Sequence, residues 1–209
     1  IILDQTGTTK VNGNFSILTE ILEKCDIHST IAKGFPIKKL TDPVNFISLL
    51  YFFGMLTISG CDEEGDTILS IPNETVKRLY YDYFKEIYGE VHGFTLEFKK
   101  YLELSKALAF RGEWRPLFKY LEEQLNAALR LRDLINGEKA VQVFLNVYLG
   151  LSGYFLVHPE KELNKGFADI VLEPDPNRQP VAKYAYLIEI KYIKSAAGDI
   201  KEETVDKLK

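Results

Sequence analysis

A chain of 209 residues with 46% hydrophobic and 27% charged residues can bury one large core or two small ones. Its net charge of -4 gives the whole chain no electrostatic basis for binding nucleic acid, so such binding must come from a local patch. The two cysteines, Cys25 and Cys61, form no CxxC motif, which argues against a zinc site or disulfide scaffold and favours a cytoplasmic location. The longest apolar run, residues 46–58, is too short to cross a bilayer, so we expect no membrane partner.

The first third of the chain is predicted to be mainly helical. Residues 1–14 are rich in glycine, threonine and asparagine and are predicted to be a tail or linker. Apolar spacing predicts a helix over residues 15–24 and a second short helix over 27–32. A third helix is predicted to begin at Pro43. Because that helix is apolar on nearly every side, it should lie centrally in a core.

A hairpin and a further helix follow. The segments MLTISG and DTILSIP, separated by the turn CDEEGD, predict two paired strands, and Asn73 is predicted to cap a helix running to about Tyr88. Three helices, a two-stranded ribbon and another helix indicate a winged-helix-like domain over residues 15–92. Many such domains bind DNA, but the acidic turn repels phosphate and favours a structural or partner-docking role.

Residues 93–135 are predicted to be a helical connector. Two helices are expected there, with a break at Arg111-Gly112-Glu113. The aromatic and leucine side chains recur at a spacing typical of packing rather than of a cofactor site.

The last part of the chain, residues 136–209, combines one helix with strands. A helix is predicted from Glu138 to about residue 151, with Glu138 on its apolar face so that the carboxylate points toward the core. Three strands are predicted over residues 154–164, 167–173 and 185–192.

Three charged residues in these strands are costly to bury, and they point to chemistry. Side chains alternate along a strand, so Glu189 and Lys191 share one face, and an antiparallel pairing places Asp169 beside Glu189. A divalent cation bound by both carboxylates and the Ile190 carbonyl would offset their repulsion, and Lys191 could then assist an attacking water. The alternative is a salt bridge from Lys191 to Asp169 or Glu189 on a half-exposed sheet.

This order of elements resembles the PD-(D/E)XK nuclease superfamily. One branch of this superfamily lies at the C-terminus of bacterial AAA-ATPase-like proteins of unknown role. The chain resembles that branch in the segments GFADIVLEP and YLIEIKY and in the preceding segments EKAVQVFL and HPEKELNKG. NFISLLYFFGMLTI and IPNETVKRLYYDYF resemble the segment that links the ATPase part to the nuclease-like part of those proteins. The resemblance covers about residues 15–191.

The resemblance implies an α+β protein whose residues 136–209 form a restriction-endonuclease-like α/β core. Asp169 and Glu189 match ligands of Mg²⁺ or Mn²⁺, and Lys191 matches the catalytic lysine. Glu138 matches a helix glutamate that some members use as an additional ligand. The implied activity is metal-dependent hydrolysis of phosphodiester bonds in DNA or RNA, by an endo- or exonuclease.

Three neighbouring residues receive lesser roles from the same resemblance. Glu162 stands where related sequences often carry an acid, and a supporting or surface role is expected for it. Lys165 and Gly166 precede the aspartate and are candidates for a phosphate contact, although a hairpin-turn role suits Gly166 equally well.

The chain departs from the family pattern in two ways. The family fold needs a second core helix and a further strand after the ExK residues, and here DIKEETVDKLK can only begin that helix. We therefore expect an incomplete or swapped core in a piece of a longer protein. The chain also carries no Walker A motif, so an ATPase region of the same parent protein is expected as a partner outside it.

Other function classes stay open. A non-catalytic interaction or nucleic-acid-binding module with a degenerate nuclease fold is the main alternative, favoured by the acidic net charge and the acidic turn. A serine or histidine hydrolase is a distant third, because no GxSxG is present and the histidines are scattered. His158, before a proline, is expected to be a loop residue. The oligomeric state is left open.

Overall fold

The protein combines helices with small antiparallel sheets. The computed structural model describes residues 14–90, 93–128, 137–163 and 166–191. Within these ranges there are six α-helices and two sheets of three strands each, which confirms the predicted α+β class. None of the helices described is long and apolar enough to cross a membrane. The predicted tail, apart from Asn14, and the segment DIKEETVDKLK lie outside the described residues.

The first sheet and its helices come from the first ninety residues. The elements are α1 (Asn14–Lys24), β1 (Asp26–His28), a 3₁₀ turn (Ile37–Lys39), α2 (Pro43–Phe52), β2 (Thr57–Cys61), β3 (Thr67–Ser70) and α3 (Glu74–Glu90). The strands lie in the order β1-β3-β2 and both pairings are antiparallel, which confirms the predicted hairpin. Cys25 and Cys61 are free thiols.

Side-chain caps explain where two of these helices begin. The Asp42 carboxylate accepts hydrogen bonds from the backbone N–H groups of Val44 and Asn45 at 3.0 and 3.3 Å, with Pro43 at the first helical position. The Asn73 side chain accepts from the N–H of Val76 at 3.0 Å. The starts of both helices could be predicted from the sequence, because a capping residue and its spacing are local features.

The predicted helix over residues 27–32 is wrong. Cys25 has a φ of 62°, which ends the α1 helix and turns the chain into β1. Ile27 then pairs with Leu69 and is buried against the hairpin. A three-residue strand carries too little periodicity to be distinguished from a helical turn, and the pairing partner decides its conformation.

The prediction that α2 lies centrally in the core holds for only part of the helix. Phe46, Ile47 and Leu50 are buried. Phe52 and Phe53, at the C-terminal end, are 55% and 73% exposed. An apolar composition predicts burial on average, but it does not say which end of a helix leaves the core.

The remaining helices and the second sheet follow in order. They are α4 (Phe98–Arg111), α5 (Trp114–Ala127), α6 (Glu138–Gly150), β4 (Phe155–Leu163), β5 (Gly166–Pro174) and β6 (Tyr186–Ile188). Gly112, with a φ of 74°, caps α4 in the left-handed conformation and so confirms the predicted break. The second sheet has the order β4-β5-β6, and β5 pairs antiparallel with β6, as predicted.

A single hydrophobic core joins the two halves of the chain. Phe144 on α6 lies 5.8 Å from Tyr88 on α3 and 5.2 Å from Phe94, measured between ring centroids. The same cluster continues to Ile170 and Leu172 on β5. The division of the chain into domains at residues 92 and 135 stays a prediction. The hydrophobic core contains residues from both sides of each boundary.

The connection from β5 to β6 is anchored to the helical part. Arg78 on α3 donates to the buried Asp175 carboxylate at 2.7 Å. The Lys183 N–H donates to the Ala109 carbonyl at 2.8 Å, and the Tyr186 hydroxyl donates to the Leu108 carbonyl at 2.7 Å. These bonds set the position of β6 against β5, and therefore the position of the residues that follow β6.

Candidate active site

The two faces of β5 differ in burial. Ala168, Ile170 and Leu172 are at most 1% exposed and face the core. Phe167 and Asp169 lie on the opposite face, where Phe167 is exposed and Asp169 half-buried. The period-two alternation of a strand thus places the aspartate toward solvent rather than in the core.

Asp169 holds the chain that follows β6. The register pairs Ile170 with Ile188, and continuing it by one residue places Asp169 opposite Glu189. The strand itself ends at Ile188, although the predicted strand continued to residue 192. Instead, the Ile190 N–H donates to Asp169 Oδ2 at 2.6 Å. In a continued strand, this N–H would donate to a backbone carbonyl of the neighbouring strand.

Glu189 and Lys191 lie just beyond the end of β6. The Lys191 Nζ is 3.6 Å from Glu189 Oε2, and the two side chains are 68% and 46% exposed. The predicted salt bridge to Glu189 is therefore present. An ion pair this exposed contributes about 0–1 kcal/mol to the stability of the fold. Stabilisation of the fold is therefore a weak explanation for placing these two charges together.

Asp169 is also bound from the side of α6. The Gln142 side chain is 4% exposed, and its Nε2 donates to the Asp169 main-chain carbonyl at 2.9 Å. Gln142 was not among the residues predicted for the site. The signal was present, because Gln142 and Asn146 are two amides spaced by four on an otherwise apolar helix face.

Glu138 is exposed, so the prediction that its carboxylate points toward the core is wrong. The buried face of α6 includes Val143 and Val147, whereas Val141 is only half-buried, which rotates Glu138 toward solvent. Glu138 lies one helical turn before Gln142. Its role as an additional metal ligand stays a prediction.

The lesser candidates lie along the β4–β5 hairpin. Glu162 is exposed and pairs with Phe167, in keeping with a surface position. Gly166 begins β5 and pairs with Leu163 next to the hairpin turn. Lys165 lies outside the described residues, and the phosphate contacts predicted for Lys165 and Gly166 stay predictions.

A second polar cluster lies farther along the same hairpin. His158 lies within β4, opposite Val171, so its predicted loop position is wrong. Its Nε2 is 3.2 Å from Glu173 Oε2, and Lys161 donates a hydrogen bond to the other oxygen of Glu173. That bond from Lys161 lowers the pKa of Glu173.

We expect His158 to titrate below its ordinary pKa of about 6.5. Burial lowers the pKa of His158, with Lys161 and Lys77 acting in the same direction and Glu173 opposing them. Near this pH the folded state then binds fewer protons than the unfolded state. The contribution of His158 to the free energy of unfolding is therefore present above pH 6.5 and is lost as the pH falls below that value.

An NMR titration of the imidazole reports this pKa, and urea unfolding between pH 7.5 and 5.5 reports the linked stability. His158→Gln should make the decrease in unfolding free energy over that interval shallower. A His158 pKa at or above 6.5 would contradict the expectation.

The two carboxylates of the site are the donors that a hard divalent cation uses. Mg²⁺ in proteins binds one or two carboxylates and keeps several waters. Asp169 and Glu189 fit that donor set, and the bond from Ile190 engages only one oxygen of the Asp169 carboxylate. Among the described residues, no group of three or more histidine, cysteine, aspartate or glutamate side chains is placed to hold a metal ion.

Comparison with known proteins matches part of the chain to a protein family. No curated protein and no solved structure is significantly similar to the chain. The match covers the same residues in which the sequence predicts a nuclease-like core, and these include Asp169, Glu189 and Lys191. Residues 136–209 match the family model of the PD-(D/E)XK nuclease superfamily, which indicates a nuclease-like function for this part of the chain.

Proposed function

We propose that residues 136–209 form a metal-dependent nuclease domain that hydrolyses phosphodiester bonds in DNA or RNA. The observation that carries the proposal is the bond from the Ile190 N–H to the Asp169 carboxylate, because Ile190 lies between Glu189 and Lys191. That bond ties the aspartate to the ExK segment within the region that matches the nuclease superfamily.

The proposed metal ligands are Asp169 and Glu189, with the Ile190 carbonyl and Glu138 as further donors. Nucleases of this superfamily generally use divalent metals, and Mg²⁺ or Mn²⁺ suits oxygen ligands of this kind. The bound ion would supply Lewis acidity and a water of lowered pKa. The carboxylates would orient the ion, and their exposed face would admit a phosphodiester.

Lys191 would act on the substrate through its ammonium group. Its Nζ lies 3.6 Å from Glu189, and more than half of its side chain is exposed, so it can reach a phosphate held at the carboxylates. A protonated lysine stabilises the negative charge that develops on the phosphoryl oxygens during attack by water. Lys165 and Gly166 would contact a neighbouring phosphate.

The rest of the chain would dock the nuclease-like core to a larger assembly. The order α1-β1-α2-β2-β3-α3 supports a winged-helix-like role for residues 15–92. The turn between β2 and β3 is acidic and ordered, since Asp62 Oδ1 accepts from the N–H groups of Glu64 and Asp66. Such a turn suits a protein partner, and we propose the ATPase region of the same parent protein, in the cytoplasm.

A second function is supported by that acidic turn and by the Glu189–Lys191 pair. If the pair is only a surface salt bridge, the domain would be a non-catalytic interaction or nucleic-acid-binding module with a degenerate nuclease fold. The repulsion between the acidic turn and phosphate argues for a protein rather than a nucleic-acid partner at that end of the molecule.

Cleavage assays separate the two functions. The protein is incubated with supercoiled, linear and single-stranded DNA and with RNA, each with Mg²⁺, with Mn²⁺ or with EDTA. A nuclease should cleave at least one substrate with metal and none with EDTA. No cleavage of any substrate with either metal favours the interaction module.

A further inference from the structure

We propose that Gln142 is a positioning residue for Asp169, and that the candidate metal site loses affinity for its cation when the Gln142 amide is removed. This inference rests on the proposed function of the same site. It concerns a residue on α6 that carries no charge and is too deeply buried to contact a substrate.

A hydrogen bond from Gln142 holds the backbone at Asp169. Gln142 is 4% exposed, and its Nε2 donates to the Asp169 main-chain carbonyl at 2.9 Å. A buried amide without a hydrogen-bond partner is unfavourable, so the side chain is held strongly in this position. The bond connects α6 to Asp169, the β5 residue whose carboxylate accepts from the Ile190 N–H.

Strand pairing is interrupted on both sides of Asp169. On the β4 side, the paired residues skip from Pro159–Ile170 to Lys161–Ala168, and Glu160, which would face Asp169, has a φ of 46°. On the β6 side, the pairing ends at Ile188. The regular sheet therefore positions Asp169 less firmly than its neighbours.

The two bonds to Asp169 compensate for that irregular pairing. Gln142 binds the main-chain carbonyl, while the Ile190 N–H binds the carboxylate. Asp169 thus connects α6, β5 and the segment after β6. Loss of the first bond should let the Asp169 backbone shift, and a metal site tolerates displacements of only about 0.5 Å.

Asn146 provides a matched control on the same helix. It lies four residues after Gln142, is 1% exposed, and donates to the Leu22 carbonyl at 3.5 Å. It therefore shares the burial and the chemistry of Gln142 but is bonded to α1 instead of Asp169. A purely structural role for buried amides would make the two positions equivalent.

The test compares Gln142→Met with Asn146→Leu, since both replacements keep side-chain size and remove the donor. Mn²⁺ titration by calorimetry and the metal dependence of cleavage are measured beside thermal unfolding. Gln142→Met should weaken Mn²⁺ binding about tenfold or more, the usual effect of losing a residue that orients a ligand. Asn146→Leu should lower thermal stability and keep the wild-type Mn²⁺ affinity.

Wild-type Mn²⁺ affinity in Gln142→Met, or an equal loss in Asn146→Leu, overturns the inference. If Gln142→Met does not fold, Gln142→Asn replaces it, because its shorter amide cannot span to Asp169 and the same loss is expected. NMR exchange of the Ile190 amide gives a second readout, and it should accelerate in the Gln142 variant alone. If Asp169→Ala leaves Mn²⁺ binding unchanged, the proposed site itself has failed, independently of Gln142.

Discussion

Glu189→Gln is expected to reduce metal-dependent cleavage by about 100-fold or more. The substitution keeps the size of the side chain and removes the charge that would hold the cation. Metal coordination supplies several kcal/mol of transition-state stabilisation, and about 1.4 kcal/mol corresponds to a factor of ten in rate. The reduction should appear in initial rates at saturating substrate with Mg²⁺ or Mn²⁺.

Lys191→Ala should produce a loss of similar size, because removing one group that stabilises the developing negative charge costs about 10²–10³-fold in rate. Glu162→Gln is the matched control, since Glu162 is an exposed glutamate on β4 of the same sheet, and this variant should keep most of the activity. Cleavage that survives both Glu189→Gln and Lys191→Ala would remove these residues from the mechanism.

Phe144→Ala is expected to destabilise the protein by about 3–5 kcal/mol. Phe144 is 2% exposed, and its ring lies 4.7 Å from Tyr148 and 5.2 Å from Phe94. Removing the ring would leave a cavity where α6 packs against the helical half of the chain. Urea unfolding followed by circular dichroism measures the change in unfolding free energy.

Phe53→Ala is the control for this prediction, because Phe53 is the same residue type in an exposed position. Exposed substitutions usually change stability by no more than about 0.5 kcal/mol. Since one core joins both halves, wild type and Phe144→Ala should each unfold in a single transition. A Phe144→Ala loss no larger than that of Phe53→Ala would contradict the packing described for α6.

Local signals in the sequence predicted most of the secondary structure. The α2 and α3 starts follow from Asp42, Pro43 and Asn73, whose capping chemistry acts within a few residues. The short strand β1 did not follow, because its conformation depends on pairing with β3 more than forty residues away. The early end of β6 has the same origin, since Asp169 captures the Ile190 N–H.

The candidate site was predictable in part. The predicted antiparallel pairing of β5 with β6 is present, and its register leads toward Asp169 and Glu189. The exposure of the Asp169 face was not predicted from the sequence. The orientation of Glu138 was wrong because helical spacing shows which residues share a face, but not which face the tertiary contacts bury. Gln142 was missed because its spacing to Asn146 marks two amides on an apolar helix face, whereas only the tertiary fold shows that Gln142 bonds to Asp169.

Titration of the protein with Mn²⁺ by calorimetry, beside Asp169→Ala, tests most directly whether these side chains form a metal site. The account predicts that the wild type binds Mn²⁺ and that Asp169→Ala, which removes the carboxylate bonded to Ile190, loses this binding. Undiminished Mn²⁺ binding in Asp169→Ala, or no binding by the wild type, would contradict the account and leave the domain an interaction module.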